Sequence, residues 1–158
     1  MDFSQYHCLK ENTSNFYNQR ECVRCPALNN DKVHFNSEGF NHLIYKGDRS
    51  ERDKGVQMMK FKLFPSALKI IGLSTTYQEY DEEIKNIRKK KYKKIIFESG
   101  AVKYWGLVAI INNTRVKAVV RQIGDGQKHF WSVIPAWKKC HYREIKFISN
   151  AFGDMEDE

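Results

Sequence analysis

The sequence predicts an α+β domain, and three observations carry that reading. Between Glu38 and Gly72, apolar residues recur at helical spacing behind recognisable start signals. From Lys94 the period changes to runs rich in β-branched and aromatic residues. Gly- and Asn-containing turn signals separate those runs, the pattern of an antiparallel meander preceded by helices. The expected architecture is a layer of N-terminal helices on a four-stranded, or slightly larger, antiparallel sheet.

Residues 1–31 are polar and Asn-rich and read as an N-terminal arm with at most a short helix. Val33-His34-Phe35 reads as a short extended segment. Asn36 or Ser37 can cap a helix from Glu38 to about Lys46, with Phe40, Leu43 and Ile44 as its apolar face. Ser50-Glu51-Arg52-Asp53 opens a second helix like a capping box. Val56, Met59 and Leu63 lie on one stripe of that helix, with Met58 and Phe61 beside it. Pro65 marks a break and a new start, and Gly72 a stop. Residues 75–92 fit strand or helix. Strands follow at 94–98, 104–111, 115–122 and 128–134, divided at Ser99-Gly100, Asn112-Asn113 and Gly124-Asp125-Gly126. Residues 141–148 can add a strand. Residues 32–150 thus make one domain between the arm and an acidic tail at 151–158.

A chain of 158 residues, 41% hydrophobic and 13% aromatic, has material for one core. No stretch approaches the ~20 apolar residues that span a bilayer. The start has neither the basic flank nor the apolar centre of a signal peptide. A cytoplasmic protein without a membrane partner is expected. The net charge of +8 favours a polyanionic partner over simple solvation only modestly. The charge is concentrated from Arg88 to Lys94, where six of seven residues are basic. Arg88, Lys89, Lys90, Lys91 and Lys94 suit a phosphate-tracking patch, since they carry charge but no base. The acidic tail is either a solvated end or a cover for a basic groove.

Cys22-Val23-Arg24-Cys25 has zinc-knuckle spacing, with His7, Cys8 and His34 as further ligands. A structural zinc normally needs two such pairs, so thiols in a reducing compartment are the better reading. No carboxylate pair or Asp/His/Glu cluster has metal-ligand spacing elsewhere. No cofactor and no catalytic metal are expected.

The most informative segment runs from Arg121 to Ser132. A three-residue loop at Gly124-Asp125-Gly126, with a glycine in the left-handed region, sets Arg121 opposite His129, Val119 opposite Trp131 and Lys117 opposite Val133. Alternation then puts Lys117, Val119, Arg121, His129, Trp131 and Val133 on one exposed face. Val116, Ala118, Val120, Phe130, Ser132 and Ile134 make the core side, with Ser132 as a small polar exception. Arg opposite His is repulsive when the imidazole is protonated, and an anion between them reverses the sign. An arginine fork, an imidazole able to donate a proton and an aromatic platform suit a nucleic-acid phosphate and base. An ordinary solvated hairpin explains the same residues equally well.

Tyr104-Trp105-Gly106-Leu107-Val108 and the stretch Arg115–Pro135, with Val33-His34-Phe35-Asn36-Ser37-Glu38-Gly39-Phe40-Asn41-His42-Leu43-Ile44-Tyr45, resemble the phage-encoded Barnase–EndoU–Colicin–RelE-like (PBECR) nucleases. The resemblance covers about residues 33–137 and excludes the N-terminal arm and its cysteines. It implies a helical layer on a four-stranded antiparallel sheet and metal-independent RNA cleavage leaving a 2′,3′-cyclic phosphate. It maps the family's sheet residues onto Arg121, His129 and Ser132, with His42 from the first helix. It names no RNA.

The expectation is therefore a toxin-like endoribonuclease in which Arg121 holds the scissile phosphate and His129 donates a proton. His42 or Ser132 orients the 2′-OH or a phosphate oxygen. Lys117, Lys128 and Trp131 join the basic run as RNA contacts. A cognate antitoxin or immunity protein is an implied partner. A non-catalytic RNA-binding module and an interaction protein of a mobile element are the alternatives. Arg49 and Arg52 read equally well as solvated charges.

Overall fold

The computed structural model describes residues 3–47 and 49–135. The expected strand at 141–148 and the acidic tail at 151–158 lie outside the described residues. In chain order the elements are α1 (Tyr6–Asn18), β1 (Cys22–Cys25), a 3-10 turn (Pro26–Leu28), β2 (Asp31–His34), α2 (Ser37–Ile44), α3 (Lys54–Leu73), β3 (Glu79–Lys91), β4 (Lys94–Ile111), β5 (Thr114–Ile123) and β6 (Lys128–Pro135). The class is α+β. The sheet has six strands in the order β1-β2-β6-β5-β4-β3. Every pairing is antiparallel except β2 with β6, which is parallel at Val33–Lys128 and His34–His129.

The N-terminal residues are not an arm. They form a 13-residue helix and a strand that pairs with β2. Tyr6, Leu9, Thr13, Phe16 and Tyr17 repeat at helical spacing, and this stripe brings Tyr6 and Tyr17 into the core. Tyr17 meets Phe35, Phe40, Phe64 and Phe130, and its hydroxyl donates to the Asn36 carbonyl at 2.5 Å. Cys22 and Cys25 sit three residues apart on one strand, so they point to opposite faces and do not converge on one ion.

Asn36 caps α2 by accepting from the Gly39 amide at 3.1 Å. Gly39 also sets where α2 lies. A Cβ there would collide with the Phe130 carbonyl and the Tyr17 hydroxyl, so its absence lets α2 close on the outer edge of β6. Asp53 caps α3, which continues through Pro65 to Leu73 without the expected break. A helix-interior proline costs ~3 kcal/mol, whereas burying one large apolar side chain yields ~1.5–3 kcal/mol. Phe61, Phe64, Ile70 and Ile71 are all buried by keeping the helix whole, so packing wins. The buried stripe also differs from the expected one. Gln57, Met58, Lys60, Phe61, Phe64 and Ala67 face inward, while Val56 is exposed.

Ser99-Gly100 is not a turn, because β4 runs unbroken for 18 residues. The Ile87 side chain occupies the space a Cβ on Gly100 would need, so glycine here serves strand packing. Residues 75–92, open between strand and helix, supply β3, joined to β4 by a turn at Tyr92 and Lys93 with positive φ at both. Asn112 and Asn113 turn in the same way between β4 and β5.

The core lies between the helices and one sheet face, where Trp105, Leu107, Val116, Ala118, Val120, Phe130 and Val133 are buried. A smaller cluster of Val102, Tyr104, Val119 and Trp131 occupies the other face, with Ile123 against it. Among the described residues, no helix is long and apolar enough to cross a membrane.

Candidate functional site

The β5–β6 hairpin places Arg121 opposite His129, with Gly124 at φ 55° in its loop. Beyond that pair the register departs from expectation. Val120 pairs with Phe130 and Val119 with Ser132, so Trp131 is the extra residue of a β-bulge. The bulge moves Val133 from the expected Arg121 face into the helix-side core, opposite Ala118. It also aims Trp131 between two elements that no strand alternation connects.

One of these elements is α2. Glu38 and His42 are four residues apart and share one side of the helix, while Leu43 and Ile44 face the core. The His42 ring stacks on Trp131 with centroids 3.8 Å apart and planes 16° apart. The Arg121 guanidinium lies 3.5 Å from the Trp131 centroid. Two planar groups this close cannot share one side of a ring, so the indole is held between imidazole and guanidinium. Arg121 further donates to Glu38 Oε2 at 2.7 Å and to His129 Nε2 at 2.9 Å.

The expected exposed pair is in fact enclosed. The Arg121 side chain is 12% accessible and the His129 side chain 5%. Burial pushes the Arg121 pKa down, opposed by the Glu38 carboxylate and the Tyr104 hydroxyl. Burial and then the Arg121 charge lower His129 to about 4. Arginine has no acceptor, so the His129 Nε2 lone pair accepts a hydrogen bond from Arg121 Nε–H and the ring is neutral at pH 7. An imidazole titrating near pH 6.5 is thus not what the resting site contains.

His42 is neutral for the same reasons. Burial, Arg52, Lys60 and Arg121 lower its pKa to about 2. Arg52, which the sequence left open as a solvated charge, is buried and holds His42 at two points. Its Nε donates to the His42 carbonyl at 2.9 Å, and its terminal nitrogen lies 3.1 Å from His42 Nε2. Lys60 on α3 is equally buried and donates to the Ser132 hydroxyl at 2.9 Å and the Val133 carbonyl at 3.0 Å. Ser132 is fully buried in that contact and does not line the cleft.

The cleft beside this cluster has a volume of about 590 Å³ and is lined by Glu38, Asn41, His42, Tyr45, Lys46, Gly47, Arg49, Arg121 and Trp131. Its wall therefore carries three cations and one carboxylate. The arrangement can exchange the Glu38 carboxylate for an incoming anion on the arginine fork, beside the neutral His42 ring that lines the cleft and with the neutral His129 ring behind Arg121.

The remaining expected contacts lie elsewhere. Lys117 is buried and paired with Glu79 at 3.0 Å, so it does not present its ammonium to a ligand. Lys128 pairs with Asp31 at 2.8 Å and lies over the Trp105 ring. Arg88, Lys89, Lys90, Lys91 and Lys94 are exposed on the β3–β4 hairpin, outside the cleft lining.

Glu38, Arg52 and Lys60 were not singled out as site residues. Glu38 and His42 at i, i+4 on the polar side of α2 was the one available signal. Lys60 has no local signal, because nothing near it in the sequence marks Ser132 as its partner. Among the described residues, no group of three or more His, Cys, Asp or Glu converges as a metal site. Comparison with protein-family models, curated proteins and solved structures finds no match, so the functional reading rests on this geometry and on the chain's own residues.

Proposed function

We propose that the protein is a metal-independent endoribonuclease of the PBECR type, with the Arg121 cleft as its active site. The observation that carries this is a nearly buried arginine gripping an exposed carboxylate beside a neutral histidine, at the wall of a basic cleft. A scissile phosphate would take the place of the Glu38 carboxylate on the Arg121 fork. The displaced Glu38 would accept the 2′-OH proton as that oxygen attacks phosphorus. The P–O5′ bond breaks, and the 5′ oxygen takes a proton from His129. A phosphate bound beside the displaced Glu38 carboxylate, which is retained in the cleft, adds a second negative charge near the imidazole and raises its pKa from the resting value. Once Arg121 Nε turns to the phosphate, His129 Nε2 takes up from solvent the proton that it later donates. His42 and Arg52 hold Trp131 and hence Arg121. Lys60 and Ser132 brace β6 from behind and touch no substrate. A toxin-like role, with a restraining antitoxin or immunity protein, follows from an RNase of this kind in the cytoplasm.

The test is to incubate purified protein with labelled RNA in excess EDTA and determine both new ends. The reading requires 2′,3′-cyclic phosphate and 5′-hydroxyl ends, and no cut where the 2′-OH is replaced by hydrogen. Activity that vanishes with EDTA and returns with magnesium or manganese would overturn it.

One observation favours a second reading, a non-catalytic RNA-binding module. The His129 Nε2 lone pair is already used by Arg121, as in a face built to bind an anion without moving a proton. RNA that shifts in a gel yet stays intact overnight would support this reading over the first.

A further inference from the structure

Along β4, pairing with β5 runs only from Ile111 to Val102. Beyond it, residues 85–91 and 94–100 pair with each other as a two-stranded ribbon. Seven rungs at ~3.3 Å per residue give the ribbon a reach of roughly 23 Å. It leaves the sheet at the end that carries Arg121, because Tyr104 is the partner of Arg121 and Ala101 lies three residues, ~10 Å, further along. Alternation nevertheless puts Phe97 on the Trp105 face and Arg121 on the other.

A lone two-stranded ribbon is marginal in water, and this one exposes apolar surface. Cross-strand pairing puts Ile84, Phe97 and Ile95 on one face, with Arg88 directly opposite Phe97 and Lys90 opposite Ile95. Phe97 is 67% exposed, and Tyr92 at the tip is 89% exposed. Residues 85–100 contain seven basic side chains and one acidic one, Glu98, which pairs with Lys89 at 3.1 Å.

We propose that this ribbon is a binding arm for single-stranded RNA, with bases stacking on Phe97 and Tyr92 while the lysines and Arg88 follow the phosphates. The proposal rests on the nuclease reading for the identity of its polymer. It deepens that reading by making an extended single strand, rather than a short fragment or a duplex, the preferred substrate. Charge and aromatic faces together suit this partner, since every base offers a π-face and stacking tolerates any sequence. A duplex keeps its bases stacked inside and offers the aromatics nothing. A lipid surface fits less well, because Lys91, Lys93 and Lys94 surround Tyr92 at the tip that would have to enter it.

The test compares wild type with Phe97→Ala and Tyr92→Asn, the latter because asparagine tolerates the positive φ at that position. Both leave the charge unchanged. Fluorescence anisotropy with a labelled 20-nucleotide single strand should show at least ~5-fold weaker binding for each variant, with the salt slope intact. Wild type should bind the matching duplex more weakly. Cleavage of a dinucleotide, which reads the cleft alone, should be unchanged in both variants. If the variants bind the single strand like wild type, or if the duplex binds equally well, the arm does not stack bases and the proposal fails. Binding of wild type to phosphatidylglycerol vesicles in preference to RNA, lost in the same variants, would make the ribbon a membrane arm and also overturn it. If wild type cuts neither RNA, the nuclease reading fails, while anisotropy still judges the arm.

Discussion

Arg121 and the lysines of the β3–β4 ribbon are cations on one sheet, yet they are built in opposite ways. Arg121 is nearly enclosed and touched on every side by Glu38, His129 and Trp131. The ribbon's cations stand in water, where ion pairs are worth ~0–1 kcal/mol and salt screens them. A count of positive charges therefore does not locate chemistry. Burial first, and then an enclosed cation beside it, lowers the proton affinity of His129 and His42, whereas a solvated cation only draws a polyanion closer.

The contrast is largest in packing. Trp131→Ala removes the ring held between His42 and Arg121, and large-to-small changes at buried aromatics cost ~3–5 kcal/mol. Urea denaturation should show a loss of that size, and a loss under ~1 kcal/mol would mean that the indole is not a structural element. The four-lysine ribbon variant K89Q/K90Q/K91Q/K94Q should stay within about 0.5 kcal/mol for each exposed substitution.

The second difference is the response to acid. His129 has a folded pKa of about 4 and His42 of about 2, both below the ordinary value near 6.5. Between those limits the unfolded chain binds more protons than the folded one, so stability is lost as pH falls from ~6.5 towards ~4. His129→Gln and His42→Asn should each flatten that decline, measured as the loss of denaturation free energy from pH 7 to pH 5. Slopes equal to wild type would mean that these rings are not held neutral in the fold. The ribbon variant should leave the slope unchanged.

The smallest stability effect carries a binding readout. In the ribbon variant, the dependence of log affinity on log salt should fall by about one unit for each phosphate that is no longer neutralised. An unchanged slope would reduce the basic run to a solvated surface.

Much of this fold was legible in the sequence, for identifiable reasons. Strands β5 and β6 announced themselves through period-two alternation, and a glycine loop fixed Arg121 opposite His129. The Trp131 bulge was invisible, since one extra residue in a strand leaves no local mark. Helix α1 was hidden by its polar surface, and the continuity of α3 past Pro65 depends on burial that only the tertiary structure reveals. The site divides in the same way. Arg121, His129, His42 and Trp131 converge, whereas Ser132 and Lys117 are spent on Lys60 and Glu79, partners 72 and 38 residues away in sequence. Glu38 lay in the open, read only as a helix start.

If the buried Arg121 stabilises charge on a scissile phosphate, its replacement must slow the chemical step itself. Single-turnover cleavage of a labelled RNA by Arg121→Ala and Arg121→Lys reads that step, with thermal melting of each variant as the folding control. Alanine should lose at least ~10² in rate, the size expected for one preorganised donor. Lysine should rescue poorly, because an ammonium cannot grip the phosphate with two parallel N–H donors as the fork does. Variants that stay folded at the assay temperature and cut at the wild-type rate would contradict this role and place the active site elsewhere.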